Sequence, residues 1–430
     1  VLSGYTSAED EFKALMNNGA TYAKQFNLQV GVALMAEQMA ELTSPMVWLV
    51  EQEVNGQKVL VPVVYLAQLR EGDLKTDGAV IAAEDVQINL SGDLNNTGTI
   101  NGQNNLQVNA VNINNLGGAI SGKDMQVSAV NINNYGGTFD SSNTMQIAAG
   151  QDLFNLGGAI SGKNVQLTAG RDLFSETLTI TSELPFSTTT TLGNIACINA
   201  GQSLTINGGR DINLTATRIS AGTDFNLLAG GGLYIGSVAE QARLEVPGYL
   251  TDKVVNTRTT ISAGDSVGIV AQKNVTIQGG QISTGKDLKL FTGGDIALSN
   301  VQDSTIYNRD IDGFQFQKRN SVVNKVSSLQ AAGDMQISAG IGMTLTGVQA
   351  NAGQGITVAA GGDIRMDAVK DSAFGDVKTG NKKNFKRTMT SDETVIGTNL
   401  TAGGNVDTAT NGALTMVGSS VSSYTGKISI

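Results

Sequence analysis

One short phrase returns at a nearly constant step between Val80 and Leu167, and it restricts the fold more than any other feature of the chain. Val86-Gln87-Ile88 is followed by Leu106-Gln107-Val108, Met125-Gln126-Val127, Met145-Gln146-Ile147 and Val165-Gln166-Leu167, at steps of 20, 19, 20 and 20 residues. Val80, Ile100, Ile120, Phe139 and Ile160 keep the same time. So do Leu94, Ile113 and Ile132, each followed by an Asn pair. A fixed period of about 20 residues marks a solenoid. Within each period apolar residues alternate with polar ones, as in strands with one buried face. The fold expected is all-β: a right-handed parallel β-helix with one coil per period. An antiparallel meander would instead show two-residue turns between its strands.

The bulk numbers agree. There are 53 glycines and only 4 prolines. That suits many tight corners whose backbone N–H groups must still join ladders. Net charge is −10, against nucleic acid as a partner, since phosphate binding needs clustered Lys and Arg. The chain has no histidine and one cysteine, which excludes Ser-His-Asp and Cys-His catalysis, His-ligated zinc and intrachain disulfides. Cys197 lies in the apolar phrase Ile195–Ile198 and reads as a buried structural thiol. No run of 18 apolar residues suggests a membrane-spanning helix. Neither a signal peptide nor a starting Met is present, and a fragment of something longer is expected.

Residues 1–77 do not share the period and are expected to form a cap of helix and β-hairpin. Ser7 can N-cap a helix carrying Phe12, Leu15, Met16, Tyr22 and Phe26 on one stripe. A second helix is expected over Val32–Leu42, stopping before Pro45. A membrane-active helix is the alternative, weakened by Glu37 and Glu41. Met46–Val50 and Val59–Tyr65 flank Asn55-Gly56, a type I′ turn dipeptide, and a two-residue loop would place Glu53 opposite Lys58. Pro62 implies a free strand edge.

Regular coils are expected over 78–174. From 175 to 430 a longer unit appears, in which Leu204, Val267, Met335 and Val406 follow Gly at matching positions. Stretches that break the 21-residue step lie at about 175–194, 238–260, 302–327 and 370–394. Each is long enough for a two-stranded arm leaving the coil at one corner, and insertions in repeat proteins gather on one face.

The phrases running from Gly117 to Asn134 and from Ile261 to Ile277, with the arms between them, resemble the filamentous haemagglutinin repeats of large exoproteins exported by two-partner secretion. The stretch from Glu41 to Val54, followed by Val59 to Ala67, resembles the junction that opens the second haemagglutinin-repeat region of the contact-dependent growth inhibition (CdiA) family. The resemblance implies a non-catalytic structural and delivery segment of a secreted, cell-surface filament. It also implies an outer-membrane transporter as partner during secretion, the target-cell outer membrane or lipopolysaccharide as a contact, and more of the same exoprotein at both ends. The alternative is the shaft of a haemagglutinin-type adhesin that delivers nothing.

No catalytic, cofactor or metal residues emerge. Asp recurs after Gly (Asp152, Asp172, Asp211, Asp265, Asp334, Asp363). A calcium roll would need it every nine residues, so a turn-forming Asp bonding its own backbone is expected. The column Gln87, Gln107, Gln126, Gln146, Gln166 reads as a solvent-facing amide ladder or the lining of a carbohydrate groove. A glycan hydrolase would need a facing carboxylate pair, and none recurs. The candidate contact residues lie in the arms: Lys378, Lys382, Lys383, Lys386, Arg387, Phe385, Phe314 and Phe316.

Overall fold

Strict alternation stacked at a constant step becomes, in space, columns of like residues. The computed structural model describes residues 8–26, 28–32, 34, 42, 46–54, 57–65 and 79–430. It divides into two units, Val1–Val80 and Ile81–Ile430.

In the first unit a helix spans Ala8–Phe26. Leu15 and Tyr22 are buried, whereas Phe12 and Met16 stay exposed, so only part of the expected stripe turns inward. Tyr22 packs with Leu34, Leu42, Met46, Trp48 and Val50. Gly19 lies so close to the Val47 carbonyl that no side chain fits there. Met46–Val54 and Gln57–Tyr65 pair antiparallel, with Glu53 opposite Lys58 as the two-residue loop requires. The ion pair of Lys58, however, goes diagonally across the hairpin to Glu51, at 2.7 Å. Pro62 faces Leu49 on a strand with no second neighbour among the described residues. The helix expected over Val32–Leu42 lies almost wholly outside the described residues. Just before it, Gly31 bridges Val50.

The second unit is the parallel β-helix. A coil contains three strand segments, for example Cys197–Ala200, Leu204–Gly208 and Ile212–Thr215, each paired in parallel with its equivalent one coil on. In the early coils the first two segments fuse, as in Ala119–Ala129, with a register shift at the bend. The core is one continuous stack. One column runs Ile100, Ile120, Phe139, Ile160, Ile198, Ile219, Ile261, Ile282, Leu329, Ala350, Leu400, all nearly inaccessible. Val80, which keeps the period of this column in the sequence, is 65% exposed.

One inward column begins polar. Asn96, Asn115, Asn134 and Asn155 are buried, and each donates its amide N–H to the next side chain up, at 2.8, 2.9, 2.8 and, to Ser175 Oγ, 3.2 Å. Buried amides are tolerated when every group is satisfied in this way. The adjoining corner must then be Gly-Gly. Gly117, Gly136 and Gly157 have positive φ, and a Cβ on Gly118, Gly137 or Gly158 would strike the Asn side chains. Above Ser175 the same column turns apolar, Leu214 and then Ile235, and the corner becomes Ala196 and Thr217.

The Asp side chains at the coil corners bond differently from expectation. Their oxygens accept the backbone N–H of the coil above. Asp172 N–H donates to Asp152 (3.2 Å), Asp211 N–H to Asp172 (3.1 Å), Gly232 N–H to Asp211 (2.7 Å) and Gly342 N–H to Asp295 (2.8 Å). At another corner Asp334 N–H donates to Asp287 (2.9 Å) and Gly355 N–H to Asp334 (2.8 Å). Arg171 Nε and Arg210 Nε add bonds to Asp152 and Asp172, at 2.8 and 2.7 Å.

Four antiparallel pairs leave the coils. Arm 1 is Thr179–Leu184 with Ser187–Leu192, and arm 2 is the end of Leu233–Val246 with Tyr249–Arg258. Arm 3 is Val301–Asp310 with Phe316–Lys325, and arm 4 is Val369–Gly380 with Phe385–Ile396. The returning strand of each arm pairs antiparallel with the outgoing strand of the next. The arms thereby form a single sheet. Where arms 2, 3 and 4 rejoin the coil, a buried hydroxyl clasps the root. Thr259 donates to the carbonyls of Leu214 and Gly236 (2.9 and 2.7 Å), Ser327 to Ile277 and Ser299 (3.2 and 2.5 Å), and Thr398 to Leu345 and Asp367 (2.9 and 2.8 Å).

Candidate contact surface

Antiparallel register decides which arm residues share a face. Phe316 lies opposite Lys378, Lys378 opposite Arg387, and Gly380 opposite Phe385. Alternation therefore puts Phe316, Lys318, Asp376, Lys378, Phe385, Arg387 and Met389 on one side of the sheet. At the tips of arms 3 and 4, Lys378 Nζ sits 3.5 Å from the Phe314 ring centroid and 4.9 Å from that of Phe385. The two rings meet edge to face at 5.7 Å. The Arg387 guanidinium lies 5.7 Å from the Phe316 ring and grips Asp376 in a fork, at 2.9 and 2.7 Å. That guanidinium holds the Asp376 carboxyl below its usual range, with burial opposing.

The tips are built by their own turns. Asp312 Oδ1 accepts the N–H groups of Phe314 (3.0 Å) and Gln315 (2.6 Å), and the Gln315 side chain accepts Gly380 N–H from arm 4 (3.2 Å). Asn381 Oδ1 accepts Lys383 N–H (3.0 Å) and Asn384 N–H (2.9 Å). This turn presents Lys382 and Lys383 to solvent, and Lys386 is exposed beside them. No ion pair among the described residues engages these three. Lys370, by contrast, is paired with Glu393 at 3.0 Å.

The structure thus gathers Phe314, Phe316, Lys378, Phe385 and Arg387 into one cluster and leaves Lys382, Lys383 and Lys386 as its free charges. Reading the sequence missed Lys318, whose Nζ lies 5.5 Å from the Phe316 ring, and Asp376. Alternation along Phe316–Lys325 and Val369–Gly380 is the signal that places both on that face. Across the sheet a groove of about 910 Å3 is lined by Tyr307, Gln317, Arg319, Thr388, Thr390 and Asp392.

Other candidates resolve more simply. The Gln residues do stack in register, but one amide bond joins them, Gln87 Nε2 to Gln107 Oε1 at 3.3 Å. The outward ladder is made by asparagines instead: Asn114 donates to Asn95 and Asn133 to Asn114, both at 2.7 Å. Cys197 is half-buried, alternating with inward Ile198, and burial pushes its thiol up. No group of three or more Cys, Asp or Glu side chains able to hold a metal ion lies among the described residues. No helix among them is long and apolar enough to cross a membrane.

The haemagglutinin repeat matches residues 63–115, 99–183, 160–244, 295–366 and 370–428, more than half of the chain. The chain belongs to the haemagglutinin-repeat family. A second hemagglutinin-repeat family matches residues 248–314, which hold the returning strand of arm 2 and the outgoing strand of arm 3. Among curated relatives, the Toxin CdiA of Yersinia pestis is 28% identical over 95% of this chain and 10% of its own length. The Deoxyribonuclease CdiA of Dickeya dadantii is 29% identical over 86% of the chain and 11% of its own length. A tRNA nuclease CdiA of Escherichia coli is 27% identical over 72% and 9%. The haemagglutinin-repeat chain therefore spans about a tenth of the relatives it matches, and the toxin and nuclease names belong to those whole proteins. No solved structure matches it. It is a CdiA-like haemagglutinin-repeat region, a structural segment of a large exoprotein.

Proposed function

We propose that this segment is a non-catalytic rod of a secreted, cell-surface exoprotein whose arms touch the target-cell outer membrane during toxin delivery. An outer-membrane transporter would export it, and the remainder of the exoprotein would flank it. The observation that carries the reading is the tip of arms 3 and 4. A chain of net charge −10 there presents three exposed lysines free of ion pairs, Lys382, Lys383 and Lys386, beside a Phe314–Phe385 pair. Phe385 and Met389 are 58% and 60% exposed. Apolar side chains rimmed by lysine suit an anionic, lipopolysaccharide-bearing surface, where each basic residue near the surface adds about 1 kcal/mol.

The test is flotation with lipopolysaccharide-containing outer-membrane vesicles. The 430-residue protein should float with them, and added salt should weaken binding. Removing residues 372–392 with a short Gly-Ser closure should leave the strand-dominated spectrum intact and reduce flotation. Full flotation by the folded deletion variant removes the arms from the reading. Failure of the intact protein to float leaves the shaft of an adhesin.

A further inference from the structure

Arm 2 is joined to arm 3, and arm 3 to arm 4, by one repeated device, which the junction of arms 1 and 2 lacks. On the returning strand of arm 2, Asn256 donates its backbone N–H to Asp303 of arm 3 at 2.7 Å and its amide to the Gln302 carbonyl at 2.8 Å. On arm 3, Asn324 does the same to Asp371 and to the Lys370 carbonyl of arm 4, at 2.7 Å each. Asn256 stands five residues before Ile261 and Asn324 five before Leu329, in one core column. The same column continues to Leu400, and five residues before it stands Val395. Val395 has no amide to give and is 56% exposed. The returning strand of arm 4, Phe385–Ile396, is exposed almost throughout and pairs with no second strand among the described residues. It is a long edge without the clasp that Asn256 and Asn324 supply.

Open edges of this length are normally blunted by charge. Here the charges are arranged by sign along the strand. Lys386 and Arg387 lie near its start, Asp392 and Glu393 near its end, with Thr388-Met389-Thr390-Ser391 between them. Such a strand is complementary to itself when antiparallel. With Thr390 on a two-fold axis, Phe385 meets Val395 and Arg387 meets Glu393, so exposed apolar residues and opposite charges face one another. On the other side of the sheet Lys386 and Asp392 become diagonal neighbours across the junction. Neither has an ion pair among the described residues.

We propose that the arm 4 edge is a self-association surface, on which two copies of this chain pair antiparallel through Phe385–Ile396 and join their arm sheets into one. The partner is a second copy because the strand's pattern of charge and exposed apolar residues fits its own reverse. One strand pair buries little area, so the contact is weak and reversible. It would gain strength between arrays of molecules on a surface.

Sedimentation equilibrium of the 430-residue protein, from micromolar to near-millimolar concentration at low salt, tests this. The parent should show a reversible monomer–dimer equilibrium. Lys386→Glu and Asp392→Lys, singly, each place like charges across the two-fold twice over and should weaken dimerisation about tenfold. Mixing the two variants in equal amounts should restore it, because each then faces its complement. A folding defect would not be repaired by mixing. A parent that stays monomeric throughout overturns the proposal. So do single variants that dimerise like the parent, or a mixture that associates no better than its components.

Discussion

At the scale of single residues, position in the stack decides what a substitution does. Met125 is 3% exposed between Leu106 and Met145. Met125→Asp buries a charge with no cation in the column and should cost several kcal/mol, seen as a large fall in the thermal midpoint. An unchanged midpoint would mean that Met125 does not point inward. Asn115 accepts from Asn96 and donates to Asn134. Asn115→Ala strands two buried amide groups and should cost about 2–4 kcal/mol. The apolar side chains that fill this column from Leu214 onward are not interchangeable with Asn115. Leu there would meet a Gly-Gly corner shaped around an amide. The turn carboxylates set the acid limit. Asp152 and Asp172 are held below their ordinary range by Arg171 and Arg210, with burial opposing. Depressed carboxylates contribute stability above their unfolded value, near 4, and lose it as pH falls through the folded value. The thermal midpoint should therefore hold from pH 7 to about 5 and decline below about 4. Replacing Arg171 and Arg210 with Gln should shrink that decline. A limb of the same depth in both proteins would assign it to other groups.

At the scale of elements, coils and arms obey different rules. A coil's strands stay in register with their equivalents while only its bends gain or lose a residue, so the step was readable from Val86-Gln87-Ile88 onward. An arm is tied to the coil stack at its root and otherwise held by neighbouring arms. Thr398 satisfies two carbonyls and accepts Val348 N–H at 3.1 Å. The near-isosteric Thr398→Val should cost about 1–3 kcal/mol, measured by denaturant titration, whereas substitutions at the arm 4 tip should leave stability unchanged. Equal effects at root and tip would remove the hydroxyl's special place. The arms were legible as breaks in the period, and their basic and aromatic content marked Phe314, Phe385 and Lys382. The cross-arm register was not legible, because antiparallel pairing depends on tip turns such as Asp312 and Asn381. Nor was the amide bonding. Adjacent Asn95 and Asn96 point to opposite sides, and the longer Gln side chains lose more rotamer freedom in holding a ladder against water.

At the scale of the β-helix unit, stability is a chain of nearest-neighbour interfaces. Damage should stay near its origin. Hydrogen exchange on Met125→Asp should quicken across residues 100–147 while the backbone of residues 329–409 keeps its protection. Uniform loss of protection would show that the whole stack melts together. Far-UV circular dichroism should be strand-dominated, with the helical part contributed by Ala8–Phe26.

The turn acceptors give that stack an arrow. At the corners described, the side-chain oxygen belongs to the earlier coil and the N–H to the later one, from Asp152 and Asp172 to Asp295 and Gly342. A finished coil thus offers water-compatible carboxylates to whatever comes next, while an incoming coil brings the donors that must be matched. A chain laid down from its N-terminal side always meets a template already holding its half of each bond. Laid down from the other side, it would have to wait with backbone donors open. The sense of growth is written into the sign of the charge at these Asp corners.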